Sequence, residues 1–176
     1  MLAIKLYNGI LLEKMELSQT YLEIGSFDGE GIAMLSKQYP DKKFYSIDPF
    51  IEDGNTAAAT KVNRGDPIND VRKIFLNNIK ECENITHLDM TSEEFLNLGL
   101  YETVTPDVLF IDGDHSFNGA FLDLTLSVLL ARNRKLLVVM DDLYNDGVTK
   151  ALKLFKKLYR IDDIIIEECG AIYFYL

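Results

Sequence analysis

The chain has 176 residues, with 18 lysines and arginines against 28 aspartates and glutamates, so its formal net charge is −10. This length is enough for one domain and short for two. The acidic balance argues against a nucleic-acid partner, because proteins that neutralise phosphates usually present a basic surface. The hydrophobic fraction of 48% excludes a disordered chain.

The sequence predicts neither a leader peptide nor a membrane span. Charged residues interrupt the N-terminal stretch MLAIKLYNGILLEKMEL, and no apolar run reaches the length of a signal peptide or transmembrane helix. The two cysteines, Cys82 and Cys169, are too few for a disulfide framework and lack the spacing of a zinc site. We therefore expect a cytoplasmic protein that makes no membrane contact.

Short apolar runs alternate with helical patterns along the chain. The first five predicted strands are Thr20 to Ile24, Phe44 to Ile47, Ile85 to Leu88, Val108 to Ile111 and Leu136 to Met140. Helical spacing of apolar residues occurs in Gly31 to Tyr39, Ile68 to Cys82, Ser92 to Leu98 and Phe117 to Arg132. Several strands are apolar on successive residues, which is typical of parallel strands covered on both faces. This order predicts right-handed crossovers and an α/β, Rossmann-like, doubly wound sheet.

The end of the chain breaks this alternation. A helix from about Gly147 to Tyr159 is followed by two strand-like runs, Ile164 to Glu167 and Ala171 to Tyr175. The residues between these runs are too few for a helical crossover, so the runs must pair as a hairpin. We therefore predict a single domain over residues 1–176, with a short helix within residues 1–19. Its seven-stranded sheet is mostly parallel, with one antiparallel strand from the C-terminal hairpin.

The longest irregular stretch runs from Pro49 to Pro67. Connections of this length are uncommon in compact domains and often act as lids or binding loops. A plain surface loop with one short helix through residues 56–62 is the alternative. The sequence leaves both interpretations open.

Acidic residues follow every strand of the predicted parallel sheet, at the edge where open α/β sheets bind ligands. The first strand is followed by Gly25-Ser-Phe-Asp28-Gly29, in which Gly25 and Gly29 allow a tight turn close to a ligand. Asp48 follows the second strand, where a carboxylate can bind a pair of ribose hydroxyls. The later strands are followed by Asp89, by Asp112-Gly-Asp-His115 and by Asp141-Asp142.

One such aspartate is often only a helix cap, but five together at one edge indicate a site. Asp112, Asp141 and Asp142 would lie on neighbouring strands and offer oxygen ligands suited to Mg²⁺, Mn²⁺ or Ca²⁺. His115 is interpreted as a general base or as a residue that holds an acceptor hydroxyl, with a supporting or helix-capping role as the alternative. His87, inside a predicted strand, is interpreted as structural.

Two motifs carry a resemblance to a known family. Tyr21-Leu-Glu-Ile-Gly-Ser-Phe-Asp-Gly29 resembles the first motif of class I S-adenosylmethionine (SAM)-dependent methyltransferases, Glu-x-Gly-x-x-x-Gly. Phe110-Ile-Asp-Gly-Asp-His-Ser-Phe117, followed by Val138-Val-Met-Asp-Asp142, is similar to the branch with metal-dependent sugar and macrolide O-methyltransferases. The dinucleotide fingerprint Gly-x-Gly-x-x-Gly does not fit, because Glu23 stands where that motif has its first glycine.

The resemblance implies a role for each matching residue. The loop around the methionine part of the cofactor would contain Glu23, Gly25, Ser26 and Gly29. Asp48 would bind the ribose, while Asp89 and the Met90 backbone would meet the adenine. Asp112, Asp141 and Asp142 match the metal-ligand positions, and Asp112 would also border the cofactor and accept a proton, with His115 as a second catalytic candidate.

Two departures from the family pattern bear on function. Arg132-Asn-Arg-Lys135 replaces the Pro-Gly-Gly turn that commonly precedes the fifth strand. We expect this change to have little effect on the reaction. The N-terminal extension that often completes the substrate pocket and the dimer contact is reduced here to the residues before the first strand. The acceptor and the oligomeric state therefore stay open, with a homo-oligomer as one alternative.

The sequence thus predicts a SAM-dependent methyltransferase assisted by Mg²⁺ or Mn²⁺. Few large apolar residues stand between Pro49 and Pro67, which favours a small polar hydroxylated acceptor such as a sugar or sugar conjugate. A metal-independent methyltransferase, acting on nitrogen or on a hydroxyl through His115 alone, is the first alternative. A non-catalytic SAM-binding or interaction protein is the second, and a nicotinamide oxidoreductase is the least favoured.

Overall fold

The computed structural model describes residues 7–50, 68–132, 134–159, 161–166 and 170–176. Seven strands are present: β1 (Thr20–Ile24), β2 (Lys43–Ile47), β3 (Ile85–Leu88), β4 (Val108–Ile111), β5 (Leu137–Met140), β6 (Asp162–Ile166) and β7 (Ile172–Tyr175). They form one sheet in the order β3-β2-β1-β4-β5-β7-β6.

Strands β1 to β5 all run parallel to their neighbours within this set. Strand β7 is antiparallel to both β5 and β6. The chain winds outward from the β1–β4 pair in opposite directions, so a crevice opens between the carboxyl ends of these two strands. The predicted α/β, doubly wound, mostly parallel sheet with an antiparallel strand from the C-terminal hairpin is confirmed.

The helices occupy the connections between strands. They are α1 (Leu12–Met15), α2 (Glu30–Gln38), α3 (Ile68–Ile79), α4 (Ser92–Asn97), α5 (Phe117–Ala131) and α6 (Asp146–Leu158). A π-helical turn at Tyr7–Leu11 leads into α1, and a 3₁₀ turn at Leu100–Glu102 follows α4. The boundaries of α2 to α6 differ from the sequence prediction by no more than a few residues.

Side-chain caps set where three of these helices begin. The side chains of Thr91, Ser116 and Asn145 accept backbone N–H bonds at the first turns of α4, α5 and α6. Each cap satisfies a donor that would otherwise lack an intrahelical partner. These helices therefore start immediately beyond the loops that follow β3, β4 and β5, and those loops stay short.

Apolar side chains cover both faces of the sheet, because successive strand residues point to opposite faces. One face packs Leu22, Leu109 and Val138 against α4, α5 and α6. The other packs Tyr21 and Phe44 with α1, α2 and α3. This double coverage is the physical reason that the strands show continuous apolar runs in the sequence.

Among the described helices, none combines the length and the apolar character needed to cross a bilayer. Apart from Pro49 and Phe50, the candidate lid at 49–67 lies outside the described residues, as does the short helix predicted through residues 56–62.

Candidate active site

The loop between β1 and α2 crosses the end of β4 at very close range. Gly25 has φ +82°, and an ideal Cβ at this position would lie 2.0 Å from the backbone oxygen of Asp112. Gly29 has φ +74°, and its Cβ would lie 2.7 Å from the ring of Phe75. A side chain fits at neither position, so the two glycines of the predicted cofactor motif are required by geometry.

Asp48 clamps this loop from the neighbouring strand. Its Oδ2 accepts the backbone N–H groups of Ser26 at 2.9 Å and Phe27 at 3.1 Å, and its Oδ1 accepts that of Phe50 at 2.9 Å. Burial raises the pKa of Asp48, and the three N–H bonds counteract that rise. Asp48, the residue predicted to bind the ribose, thus lies beside the glycine loop and also stabilises the conformation of that loop.

Glu23 and Ser26 point beneath the loop, into the core, and not onto its outer surface. Glu23 is fully buried and accepts the Tyr21 hydroxyl at 2.8 Å, because the two-residue period of β1 puts both side chains on one face. Ser26 Oγ lies 2.6 Å from Ser46 Oγ. A cofactor lying on this loop would therefore meet the backbone of residue 26 and not its hydroxyl.

Asp89, at the end of β3, forms an ion pair with Arg72 of α3. Both side chains are about half exposed. Met90 follows and is partly buried against the core. The predicted adenine side of the crevice therefore contains a cation, Arg72, that no motif had indicated.

The loops after β4 and β5 bring three predicted site residues together. Nε2 of His115 lies 2.8 Å from Oδ2 of Asp142 and 3.6 Å from Oδ1 of Asp112. One ligand-type atom from each of the three side chains lies within 4.8 Å of the others. We refer to Asp112, His115 and Asp142 as the acidic cluster.

Close backbone packing holds the two loops of the acidic cluster against each other. Asp114 accepts the backbone N–H and the hydroxyl of Ser116, at 2.8 and 2.7 Å, which folds the turn that carries His115. An ideal Cβ on Gly147 would lie 2.3 Å from the backbone oxygen of His115. The first turn of α6 can approach this turn because residue 147 is glycine.

Charge interactions within the acidic cluster are strong. Burial, reinforced by the neighbouring carboxylates, raises the pKa of Asp112 to about 7. Bonds to Asp112 and Asp142 raise the pKa of His115 to about 10, and His115 in turn lowers the pKa of Asp142. At neutral pH a protonated imidazole therefore balances the Asp142 carboxylate, while Asp112 is only partly ionised.

Asp141, the remaining predicted metal ligand, lies outside the acidic cluster. Its side chain is largely buried, and its Oδ1 accepts the backbone N–H of Asp142 at 2.8 Å. Asp142 has φ +60°, a left-handed conformation that is unusual for a residue other than glycine. This turn brings Asp142 and His115 together, and the assignment of Asp141 as a metal ligand stays a prediction.

Asp123 of α5 is a buried acid that no motif had indicated. It is 2% exposed, it accepts a hydrogen bond from the Ser92 side chain, and burial raises its pKa to about 7. Its Oδ2 would lie 3.1 Å from a Cβ on Gly113, directly beneath the turn after β4. An acid between the buried positions Ala120 and Leu124 was the available signal in the sequence.

The sequence matches the methyltransferase domain family over residues 22–143, which is more than half of the chain. The chain belongs to this family. It is a SAM-dependent methyltransferase. No curated protein sequence matches it.

Several solved structures share the fold of this methyltransferase. One is the O-methyltransferase TomG from Streptomyces achromogenes, involved in tomaymycin synthesis and solved with SAM (TM-score 0.60, 14% identity, covering 98% of this chain and 78% of that one). Another is the SAH-bound Podospora anserina methyltransferase PaMTH1 (TM-score 0.60, 13% identity, 98% and 75% coverage). A third is CalS11, a TDP-rhamnose 3'-O-methyltransferase of calicheamicin biosynthesis (TM-score 0.61, 12% identity, 98% and 79% coverage). At these identities the likeness concerns the fold.

Proposed function

We propose that this methyltransferase transfers the methyl group of SAM to a hydroxyl of a small polar acceptor, assisted by a divalent cation. The acidic cluster is the observation that carries the proposal. Its three side chains converge at the carboxyl ends of β4 and β5, beside the glycine loop where the cofactor is expected.

The donor set of the acidic cluster fits a divalent cation. Two carboxylates and one imidazole offer oxygen and nitrogen ligands, a combination that suits Mn²⁺ and accommodates Mg²⁺. Asp112, Asp142 and His115 would hold the ion, which would take over the charge balance that His115 supplies alone. Asp141 would support the site through its bond to the Asp142 backbone. When bound, such a cation lowers the pKa of a coordinated hydroxyl and orients its oxygen.

The protein's own contribution is mainly positioning. In the transfer, the acceptor oxygen forms a bond to the methyl carbon while the carbon–sulfur bond breaks, which leaves S-adenosylhomocysteine (SAH). The hydroxyl proton passes to a base, for which Asp112 is the first candidate; His115 could take this role only after losing the proton that it carries at neutral pH. Holding the two reactants in line supplies much of the rate acceleration without covalent catalysis.

Cofactor contacts are assigned to the edge formed by β1, β2 and β3. The backbone of the loop 25–29 would receive the methionine part, Asp48 the ribose, and Asp89 with Met90 the adenine. The fixed glycine loop supports this assignment, because a preorganised loop binds with a smaller entropy cost.

A sugar or sugar conjugate is the acceptor class that we favour. CalS11, which has the same fold, is a TDP-rhamnose methyltransferase. The stretch 49–67 follows β2 in the sequence and is rich in polar residues, a composition that suits a hydroxylated acceptor. A net charge of −10 supports a small molecule over a nucleic acid as the partner. A cytoplasmic location and a homo-oligomer stay predictions.

A metal-independent reaction is the second candidate function. The 2.8 Å pair between His115 and Asp142 already balances charge in the cluster without a cation. In this alternative, His115 holds the acceptor hydroxyl directly.

One set of measurements separates the two candidates. SAH formation from SAM is followed with TDP-rhamnose and with catechol, as a sugar and an aromatic acceptor, before and after treatment with EDTA. The proposal expects turnover of the sugar, loss in EDTA and recovery with Mn²⁺. Full turnover in EDTA would establish the metal-independent route, and turnover of catechol alone would contradict the sugar assignment.

Direct titration tests the cation site without an acceptor. Mn²⁺ alone should bind the wild-type protein, and Asp142→Asn should weaken that binding by about tenfold or more, since a charged ligand is lost. Asp146→Asn, at an exposed position on the first turn of α6, is the matched control and should bind Mn²⁺ like wild type. Equal affinities in all three proteins would refute the site.

A further inference from the structure

A chain of buried polar groups runs beneath the cofactor loop and ends at His87. Ser26 Oγ lies 2.6 Å from Ser46 Oγ, which lies 3.1 Å from Nδ1 of His87. The three residues belong to the loop after β1, to β2 and to β3, and Ser46 and His87 are direct partners in the strand pairing. Both serines are buried, so each hydroxyl depends on its protein partner.

The imidazole is the group that completes this chain. Burial lowers the pKa of His87, so the ring is neutral at pH 7 and Nδ1 is able to accept a hydrogen bond. When Ser26 donates to Ser46 and Ser46 donates to Nδ1, both hydroxyl donors are satisfied. A phenyl ring in place of the imidazole would leave a buried hydroxyl without an acceptor, which costs stability in that region.

His87 also reaches the other end of the loop through its ring. Its centroid lies 4.6 Å from that of Phe75 and 5.5 Å from that of Phe50. Phe75 is the ring that would meet a Cβ on Gly29. One side chain therefore supports residue 26 by hydrogen bonds and residue 29 by packing.

Burying the imidazole of His87 has a free-energy cost that packing against the two phenylalanines does not require. Nε2 of His87 is buried and has no hydrogen-bond partner among the described residues. An apolar ring of similar shape would fill the space between the two phenylalanines without burying an unpaired nitrogen. The particular contribution of the imidazole is thus its bond to Ser46.

We propose that His87 is a positioning residue for the cofactor: acting through Ser46 and Phe75, it fixes the loop 25–29 in the conformation that receives SAM. This inference rests on the proposed placement of the cofactor at that loop. It replaces the expectation that His87 is merely structural.

Two readouts test the role of His87. Calorimetry with SAH should show that His87→Phe and Ser46→Ala each weaken binding by about tenfold, the scale of one lost hydrogen bond in a preorganised site. The double variant should be no weaker than the worse single variant, because both changes break the same chain. His87→Asn, whose amide can replace Nδ1, should restore most of the affinity. Thr86→Ala, at the exposed neighbouring position of β3, is the control.

The second readout does not need the cofactor. Amide hydrogen exchange of residues 26–29 in free protein should become about tenfold faster in His87→Phe and Ser46→Ala, and stay near wild type in His87→Asn. Unchanged exchange and SAH affinity in folded His87→Phe would overturn the proposal. So would a His87→Asn variant as impaired as His87→Phe, since ring volume would then be the cause. A third outcome is that exchange becomes faster in His87→Phe although neither this variant nor the wild type binds SAH. That result would show that His87 stabilises the loop 25–29 and would contradict the placement of the cofactor there.

Discussion

Replacing Asp123 with asparagine removes a buried carboxyl group and keeps its shape. In the folded protein burial raises the pKa of Asp123 to about 7, whereas an aspartate in an unfolded chain titrates near 3.9. The folded state therefore binds this proton more tightly. The contribution of Asp123 to stability is therefore highest at low pH, falls as pH rises through the interval from about 4 to 7, and levels off above it.

The size of the effect follows from the two pKa values. A difference of about three pKa units corresponds to about 4 kcal/mol of unfolding free energy over the whole interval. Between pH 5 and pH 8 the share is about 2 to 3 kcal/mol. Asparagine does not titrate, so the stability of Asp123→Asn relative to wild type should rise by this amount from pH 5 to pH 8.

Urea unfolding at the two pH values, followed by circular dichroism, measures this difference. Any pH-independent cost of the amide beside Ser92 cancels in the comparison. Asp41→Asn, at an exposed position, is the control and should change stability by less than about 0.5 kcal/mol at either pH. If the Asp123→Asn difference is the same at pH 5 and pH 8, the pKa of Asp123 is not raised in the folded protein and the reasoning fails.

Three further predictions concern the loops of the crevice. Gly25→Ala should destabilise the protein by about 3 kcal/mol or more in urea unfolding, because its Cβ would lie 2.0 Å from a backbone oxygen. Gly99→Ala is the control: residue 99 has φ +68° but no atom within 4 Å of a Cβ, so backbone strain alone should lower its stability by only about 1 kcal/mol. Equal losses would refute the close approach at Gly25. Asp48→Ala should weaken SAH binding about tenfold or more and also lower the unfolding temperature, since three N–H groups lose their acceptor; unchanged affinity in the folded variant would contradict its role. Deleting residues 56–63 should reduce acceptor turnover and leave SAH affinity nearly intact, whereas lost SAH binding would assign this segment to the cofactor site.

The fold was predictable because its signals are local and mutually consistent. Strands such as Val108–Ile111 are buried on both faces, so they read as unbroken apolar runs. The Thr91–Glu94 capping box marks the start of α4. The short spacing between the last two strands excluded a crossover and required the hairpin that is observed. Apolar periodicity and connection length are both read from neighbouring residues, and together they predicted the order of strands and helices.

The orientation of site side chains was not predictable in the same way. A motif gives the order of residues along the chain, but the direction of each side chain depends on backbone angles and on packing from distant elements. The left-handed φ of Asp142 brings it to His115 and leaves Asp141 outside the cluster. Ser26 points inward because Ser46, on another strand, offers a partner. Asp123 and Ser92 meet only after α4 and α5 have packed.

The two halves of the crevice differ in their electrostatics. Ligand affinity in the two halves should therefore depend differently on salt concentration. The cofactor half is held mainly by hydrogen bonds, from backbone N–H groups to the Asp48 carboxyl and between the Ser46 hydroxyl and His87, with one exposed ion pair between Arg72 and Asp89. Charges hold the other half, where Asp112, His115 and Asp142 lie within ion-pair distance. Screening at 0.5 M salt, relative to 0.05 M, weakens long-range attraction between an acidic protein and a divalent cation. Calorimetry should then show Mn²⁺ affinity falling by about threefold or more, while affinity for SAH, which carries no net charge, changes by less than about twofold. Equal salt sensitivity for both ligands would mean that the halves are not electrostatically distinct.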